Sequence, residues 1–526
     1  MQSPRDGLPP AAPVGARLSA VDVARRVLLR VEAGSYASLT LSGELDRAQL
    51  ADSARGLCTE LVYGSLRKRA QLDAALSRLT PRGLDSLDAQ VRVLLRLGAY
   101  QVLFTRVPPA RAVNEVVTAL RGLRGPGLAG FANALLRRLV REGLPPAAPL
   151  ASDASPKEVC KALATRHGLP IFLVRDVLDL LGRSGAESFC QALETPAPTW
   201  LRLNPLRGSW ADARAALVRE GAELHSAMTM SSPDLQPSAT ANADRDAASQ
   251  STDDASAHEL TTLLPEAVRL QAGHPFSGAA YEQGWFTAQD LGAQLVARLL
   301  LADTDDGPLE LPAGPVLDAC CGTGGKATHL AALLSSTSAA GQARRAIDAA
   351  DRSLRKLDLC QQHSKRLRCR DLRPLPIDLL SADALAATLR PRYAAILLDA
   401  PCSGSGVLRR HPEARSRLTW DDVQALAGTQ RRLLELLLPY LAEGGVLVYA
   451  VCSVLRCEGP DLIAQLLRDH PDLSLLPPAS SQAGWSQVYR NDPAGLFTWP
   501  QVHNADGFYA VRLRRVPPAK QARHGT

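Results

Sequence analysis

Two cysteines stand where alternating strands and helices would bring reactive groups together. Cys402 lies in Asp399-Ala400-Pro401-Cys402-Ser403-Gly404-Ser405-Gly406, just after the apolar run 393–398. Cys452 lies in Val451-Cys452-Ser453, at the end of the apolar run 446–451. Tips of adjacent strands are about 5 Å apart, so the two thiols can share one cleft. A lone buried cysteine is usually a small hydrophobe, and Cys58, Cys160, Cys190, Cys360 and Cys369 are read that way. A pair at two strand ends suits nucleophilic chemistry instead. Methylation of cytosine at C5 needs such a thiol, because that carbon does not attack a methyl sulfonium unaided. A thiolate adding at C6 makes C5 enamine-like; a base then removes the C5 proton and the thiolate leaves. A carboxyl group near N3, such as Asp399, would help the ring accept electron density. Spacing alone leaves open which thiol attacks.

A second cluster is Asp318-Ala319-Cys320-Cys321-Gly322-Thr323-Gly324-Gly325-Lys326, where a first strand hands over to a first helix. Glycines there allow close backbone approach to a ligand, and the helix start offers free N–H groups. A Walker phosphate loop is excluded, since Cys320 and Ala327 occupy positions that need Gly and Ser or Thr. Gly322-x-Gly324-x-x-Ala327 matches the dinucleotide fingerprint superficially, so NAD and S-adenosylmethionine (SAM) both remain open at this point. Asp348, read as the end of the next strand, suits ribose hydroxyls in either case. Asp383, after the third strand, is placed to accept from an adenine amino group.

The elements that position these groups follow from hydrophobic periodicity. Residues 315–319, 346–348, 393–398 and 446–451 read as buried strands, with helices over 327–334, from about 353 and over 423–441. Strands alternating with helices imply a parallel α/β sheet with its ligands at the carboxyl ends. Upstream, apolar residues recur at helical spacing from Ser19 to Glu142, predicting an all-α domain of several short helices. The expected organisation is a disordered stretch 1–18, an all-α domain 19–143, a linker and small α/β subdomain 144–283, a catalytic domain 284–516 and a basic tail 517–526. Residues 225–258 turn abruptly to Ser, Thr, Ala, Asp and Asn, too little apolar surface to offset ordering entropy, and are read as a disordered insert.

Composition narrows the class. The chain has 526 residues, 46% hydrophobic and 21% charged, so it can bury substantial cores. No run approaches the roughly 18–20 apolar residues of a membrane helix, and the first residues lack the apolar core of a secretory signal. Ten cysteines without a Cys-x-x-Cys pair fit neither a disulfide scaffold nor a zinc site, and a reducing cytoplasmic location is expected. The net charge of +7 is concentrated at the start: residues 1–150 hold 21 Lys and Arg against 12 Asp and Glu. That is an electrostatic footprint suited to phosphates. Aromatics are only 4% of the chain, so gripped phosphates and one flipped base fit better than broad stacking on single-stranded RNA.

At these residues the sequence resembles the RsmB (Sun/Fmu) family of 16S rRNA cytosine-C5 methyltransferases. The resemblance runs over most of the chain. It implies a multidomain protein: an all-α NusB-like RNA-binding domain, then a Rossmann-like class I SAM-dependent methyltransferase domain. The family's Pro-Gly-Gly-Lys cofactor loop falls on Thr323-Gly324-Gly325-Lys326, and its cofactor segment on Cys320, Cys321, Gly322, Thr323, Gly324, Gly325 and Lys326. Its ribose and adenine acids fall on Asp348 and Asp383, and its Asp-Ala-Pro-Cys-Ser motif on Asp399 to Ser403. The resemblance puts the nucleophile at Cys452 and an assisting role in product release at Cys402, with Asp399 steadying the ring and bordering the cofactor. Arg409-Arg410-His411-Pro412, Asn133-Ala134-Leu135-Leu136-Arg137 and Asp506-Gly507-Phe508-Tyr509 match further family signatures.

The implied activity is methylation of cytosine C5 in 16S rRNA (the family is named for cytosine 967). The implied partners are 16S rRNA or a small-subunit assembly intermediate, with SAM as cofactor, no metal, no membrane and a monomeric state. The alternative is an RNA-binding assembly factor whose methyltransferase domain is inactive, disfavoured because both cysteines and all the acids are present. Three features depart from the family: Thr323 for proline, Val451 for threonine, and the polar insert.

Overall fold

The computed structural model describes residues 18–146, 150–226, 263–337, 345–482 and 484–516. The expectations for 1–17, for 227–258 and for 517–526 lie outside the described residues. The chain forms two compact units. One runs to Val174 and takes in His411–Arg417; the other holds Arg175–Arg410 and the chain from Leu418 onward.

The first unit is helical: α1 (Ala20–Glu32), α2 (Ala37–Ala48), α3 (Asp52–Arg67), α4 (Arg69–Leu79), α5 (Ala89–Phe104), α6 (Pro109–Arg124), α7 (Pro126–Glu142) and α8 (Pro156–His167). α5 is apolar nearly all round, with Val91, Val93, Leu94, Leu95 and Leu97 buried, as a helix enclosed by others must be. Its Gly98 is dictated by packing: a Cβ there would lie 2.8 Å from Leu136 and 2.9 Å from Val116. The buried Arg96 on α5 is neutralised by Asp73 at 2.6 Å and Glu32 at 2.5 Å. The compact unit also takes in α8, with Val159, Cys160 and Leu163 buried. Residues 411–417 satisfy helix ends of the same unit. Glu413 accepts from the Ala37 N–H at the start of α2 (3.1 Å), and Arg415 donates to the Arg67 carbonyl at the end of α3 (3.0 Å).

The second unit holds two sheets. The smaller is antiparallel, in the order β2 (Glu223–Ser226), β3 (Ala267–Ala272), β1 (Thr199–Leu203), β4 (Phe286–Ala288). β2 includes His225 and Ser226, the first two residues of the expected insert, and β4 carries the small sheet past the expected boundary at 283.

The larger sheet contains β5 (Val316–Ala319), β6 (Ile347–Asp351), β7 (Leu372–Pro376), β8 (Tyr393–Asp399), β9 (Leu441–Val451), β10 (Leu473–Leu475), β11 (Tyr489–Asn491), β12 (Ala494–Thr498) and β13 (Phe508–Arg515). Its order is β11-β12-β13-β9-β8-β5-β6-β7, with β10 on β13. Strands β5 to β9 run parallel, while β13 enters antiparallel beside β9. β8 is buried from Tyr393 to Leu398 and β9 from Val446 to Val451, the continuous apolar run of a sheet covered on both faces. The chain progresses outward from β5 through β6 to β7, then returns to the other side of β5 with β8. This reversal is the point at which open α/β sheets bind ligands.

Among the described residues no helix is long and apolar enough to cross a membrane. One buried group gives a pH signature. His503 accepts the Trp499 N–H at Nδ1 (2.9 Å), and burial lowers its pKa to about 4. A group whose folded pKa is depressed contributes stability above its unfolded value, near 6.5, and loses it as pH falls toward 4. His503 should therefore contribute about 3 kcal/mol at neutral pH. Chemical denaturation at pH 7 and pH 4.5 should show a smaller loss in His503→Gln than in the parent chain; equal losses would exclude the contribution.

Candidate active site

The loop after β5 is shaped by its own backbone. Cys320, Gly322 and Gly324 all have positive φ, at 66°, 57° and 85°. The Cys321 N–H donates to the Ala350 carbonyl (2.8 Å) and the Gly322 N–H to Asp351 Oδ2 (3.1 Å), so the loop is tied to the end of β6. Gly324 is needed twice over: a Cβ on it would stand 2.5 Å from Cys360 Sγ. A Cβ on Gly322 or Gly325 would meet nothing within 4 Å. The open side of the loop therefore faces away from the protein, as a cradle for a ligand must. The helix Gly325–Thr337 starts here, and its first turn is fixed from the small sheet. Buried Arg202 of β1 donates to the Gly325 carbonyl (2.7 Å) and to Thr328 Oγ1 (3.0 Å).

Lys326 crosses from this loop to the end of β8, where its Nζ lies 2.6 Å from Asp399 Oδ2. Burial alone would lower the Lys326 pKa, but the negative charges of Asp399, Cys452 and Asp318 outweigh it and hold the ammonium above its ordinary value. Asp318 is wholly buried, and burial together with the Asp399 charge raises its carboxyl well above the usual range. Phe508 of β13 stacks under the ammonium at 5.2 Å. The two cysteines meet as their spacing suggested: Cys402 Sγ and Cys452 Sγ are 3.3 Å apart. The hydrogen bond to Cys452, burial, and the charges of Cys452 and Glu458 push the Cys402 thiol well up. Burial also pushes Cys320 up to about 12, and a hydrogen bond with Cys360 raises Cys321; neither is poised as a thiolate.

Cys320 to Lys326, Asp399, Cys402 and Cys452 thus gather at the carboxyl ends of β5, β8 and β9. Two of the predicted acids do not join them. Asp348 is the second residue of β6, paired with Leu317, so it sits toward the opposite end of the sheet. It is fully buried under Arg373 (2.8 Å), Arg390 (2.9 Å) and the Tyr393 hydroxyl (2.8 Å), donors that outweigh the cost of burial and lower its pKa. The acid at the strand's end is Asp351. Its Oδ1 also accepts from the Ser353 N–H at 2.8 Å. Asp383 is likewise displaced: it is exposed, in the first turn of the helix Ala382–Thr388, where a carboxylate stabilises the helix dipole. Asp378, two residues past the end of β7, stands at the sheet's edge instead, with Oδ1 accepting the Leu380 N–H (3.0 Å). The sequence signal for Asp351 is the unbroken small-apolar pair Ala349-Ala350, which prolongs the strand by three residues. Among the described residues no group of three or more His, Cys, Asp or Glu is arranged to hold a metal.

Comparison with known proteins adds to this geometry. The family model for 16S rRNA methyltransferase RsmB/F matches residues 310–514, and the NusB family model matches residues 15–141. A ribosomal RNA small subunit methyltransferase B from Pseudomonas putida is 32% identical over 94% of this chain and 98% of its own length. A probable ribosomal RNA small subunit methyltransferase B from Bacillus subtilis is 28% identical over 95% of this chain and 99% of its own. Among solved structures, the crystal structure of PH0851 superposes with a TM-score of 0.67 at 19% identity, covering 95% of this chain and all of that one. The last likeness bears on the fold alone.

The loop geometry gives a direct expectation. Gly324→Ala should weaken SAM binding by roughly tenfold or more, through left-handed strain and the clash with Cys360. Calorimetry on parent and variant checks this, and equal affinities would remove the loop from the binding site.

Proposed function

The chain belongs to the 16S rRNA methyltransferase RsmB/F family and is a small-subunit rRNA methyltransferase; we propose that it methylates C5 of a cytosine through a covalent adduct at C6. The observation that carries this reading is the thiol pair, 3.3 Å apart, beside the Lys326–Asp399 ion pair at the sheet's reversal point. Neither an NAD site nor a pure RNA-binding role has a use for two thiols there.

The cradle fits SAM: open space over Gly322 and Gly325, backbone N–H groups at a helix start, and a carboxylate at the end of β6. Cys320, Cys321, Gly322, Thr323, Gly324, Gly325 and Lys326 would hold the methionine end. Asp351 takes the ribose role that the sequence resemblance had put on Asp348, and Asp378 the adenine side in place of Asp383. Asp399 borders both cofactor and base. SAM supplies an electrophilic methyl group on a sulfonium.

The protein's own groups do the rest. Cys452 adds to C6 as a thiolate, on the side of the thiol pair that interacts with the Lys326 ammonium. Cys402 stays protonated beside it. The Lys326–Asp399 pair offers hydrogen bonds to the N3 side of the ring as electron density moves there. Methyl transfer to C5 would break the methyl–sulfonium bond and leave a neutral thioether; a base would then take the C5 proton, and the C6–S bond would break to return the Cys452 thiolate. Cys402 assists that release.

The basic helical unit would grip phosphates of 16S rRNA or of a small-subunit assembly intermediate, delivering one flipped cytosine, with cytosine 967 the first candidate. The protein is taken to act as a cytoplasmic monomer. Labelled SAM with unmodified 16S rRNA, digested and read by mass spectrometry, tests the reading. Wild type should yield 5-methylcytidine, Cys452→Ala none, and Cys402→Ala a slower reaction with accumulating protein–RNA adduct. An adduct that persists in Cys402→Ala/Cys452→Ala would overturn the assignment. In calorimetry Asp351→Ala should lose about tenfold or more in SAM affinity, whereas Asp348→Asn should lower stability and leave affinity nearly intact.

A further inference from the structure

Directly behind the thiol pair is a buried carboxylate that the chemistry above does not use. Glu458 ends a short helical turn, Arg456–Glu458, after the β9 loop and is fully buried. It receives four hydrogen bonds. Oε1 accepts from the Ser403 N–H (2.8 Å) and from Gln430 Nε2 (2.9 Å). Oε2 accepts from the Ser403 hydroxyl (2.5 Å) and from the Ser453 hydroxyl (2.6 Å). Ser403 follows Cys402, and Ser453 follows Cys452. The residues next to the two thiols are therefore bound to the same oxygen atom.

The surroundings reinforce this. Gln430 also donates to the Pro401 carbonyl at 3.0 Å, and the Tyr449 hydroxyl lies 2.9 Å from Gln430 Oε1. Ser405 and Ser453 hydroxyls are 2.9 Å apart, and Ser405 Oγ accepts the Val454 N–H at 3.0 Å. The Gly406 N–H reaches the Cys452 carbonyl at 3.0 Å. Both loops leave their strands in irregular conformation, so no sheet hydrogen bonding sets their separation. A charge buried without water is costly, and it persists where a network of donors needs it.

We propose that Glu458 is a positioning residue that locks the Cys402 loop to the Cys452 loop and thereby sets the distance between the thiols. It does not touch the base, because all of its acceptor positions face protein donors. The inference rests on the reading of the thiol pair as the reactive centre.

The test uses the full chain and three readouts: SAM affinity by calorimetry, methyl transfer to 16S rRNA, and the rate at which diamide oxidises Cys402 and Cys452 to a disulfide, located by peptide mapping. In Glu458→Gln the shape is kept, but an amide N–H replaces the oxygen shared by two hydroxyls. The expected result is disulfide formation and kcat each reduced about tenfold or more, with SAM affinity and both KM values within about twofold of wild type. Ser403→Ala/Ser453→Ala, which removes the donors instead, should reproduce the effect and decides the matter should Glu458→Gln fold poorly. Wild-type rates of disulfide formation in both variants would overturn the proposal, whatever happens to kcat. A wild-type chain that makes no 5-methylcytidine yet loses disulfide formation on Glu458→Gln would leave the clamp standing and reject the functional reading.

Discussion

The ion pair between Lys326 and Asp399 is the interaction on which the site depends. It spans the reversal of strand order, joining the loop after β5 to the end of β8, with Lys326 largely withdrawn from water and Asp399 partly exposed. Removing Asp399 would leave the Lys326 ammonium without its nearest counter-ion. The charge balance around it is tight. One ammonium interacts with Asp399, Cys452 and Asp318. Burial, together with the Asp399 charge, raises the Asp318 carboxyl well above the usual range. The pair thus ties the glycine loop to the end of β8 and, through its ammonium, to the thiol pair.

Around that pair, distant segments act as struts. Arg202 belongs to the small antiparallel sheet, yet it braces the first turn of the helix that follows the glycine loop. Arg410 and Asp506, read in the sequence as parts of two separate motifs, form one ion pair at 2.6 Å, and Arg410 also reaches Asp290 at 2.9 Å. Asp506 precedes Phe508, whose ring lies beneath Lys326. Chemistry-bearing residues at strand ends are therefore held by charges that come from elsewhere in the unit, and the cleft keeps its form without relying on loop backbone alone.

Much of this was legible beforehand, for a physical reason. Strands covered on both faces must be continuous apolar runs, so 393–398 and 446–451 announced themselves, and the cysteines just beyond them had to lie at adjacent tips. The acids were harder. A polar residue after Ile347 suggested the end of a strand, but Asp348 is carried inside by Arg373, Arg390 and Tyr393, partners 25 to 45 positions away that no local pattern connects to it. Asp383 sits among residues that cap and start a helix, a role its neighbours Ser381 and Ala382 already hinted at. Glu458 was invisible for the opposite reason: its spacing from Cys452 is unremarkable, and only the folded chain shows Ser403 and Ser453 converging on it.

The antiparallel entry of β13 between β9 and β12 has a consequence for biosynthesis. β9 carries Cys452 at its tip and pairs with β8 on one side, but its other neighbour is residues 508–515, translated well after it. Until those residues leave the ribosome, β9 remains an open sheet edge, and Phe508 is not yet beneath Lys326. A nascent chain that has just exposed Cys452 therefore still lacks the strand that closes the sheet beside it.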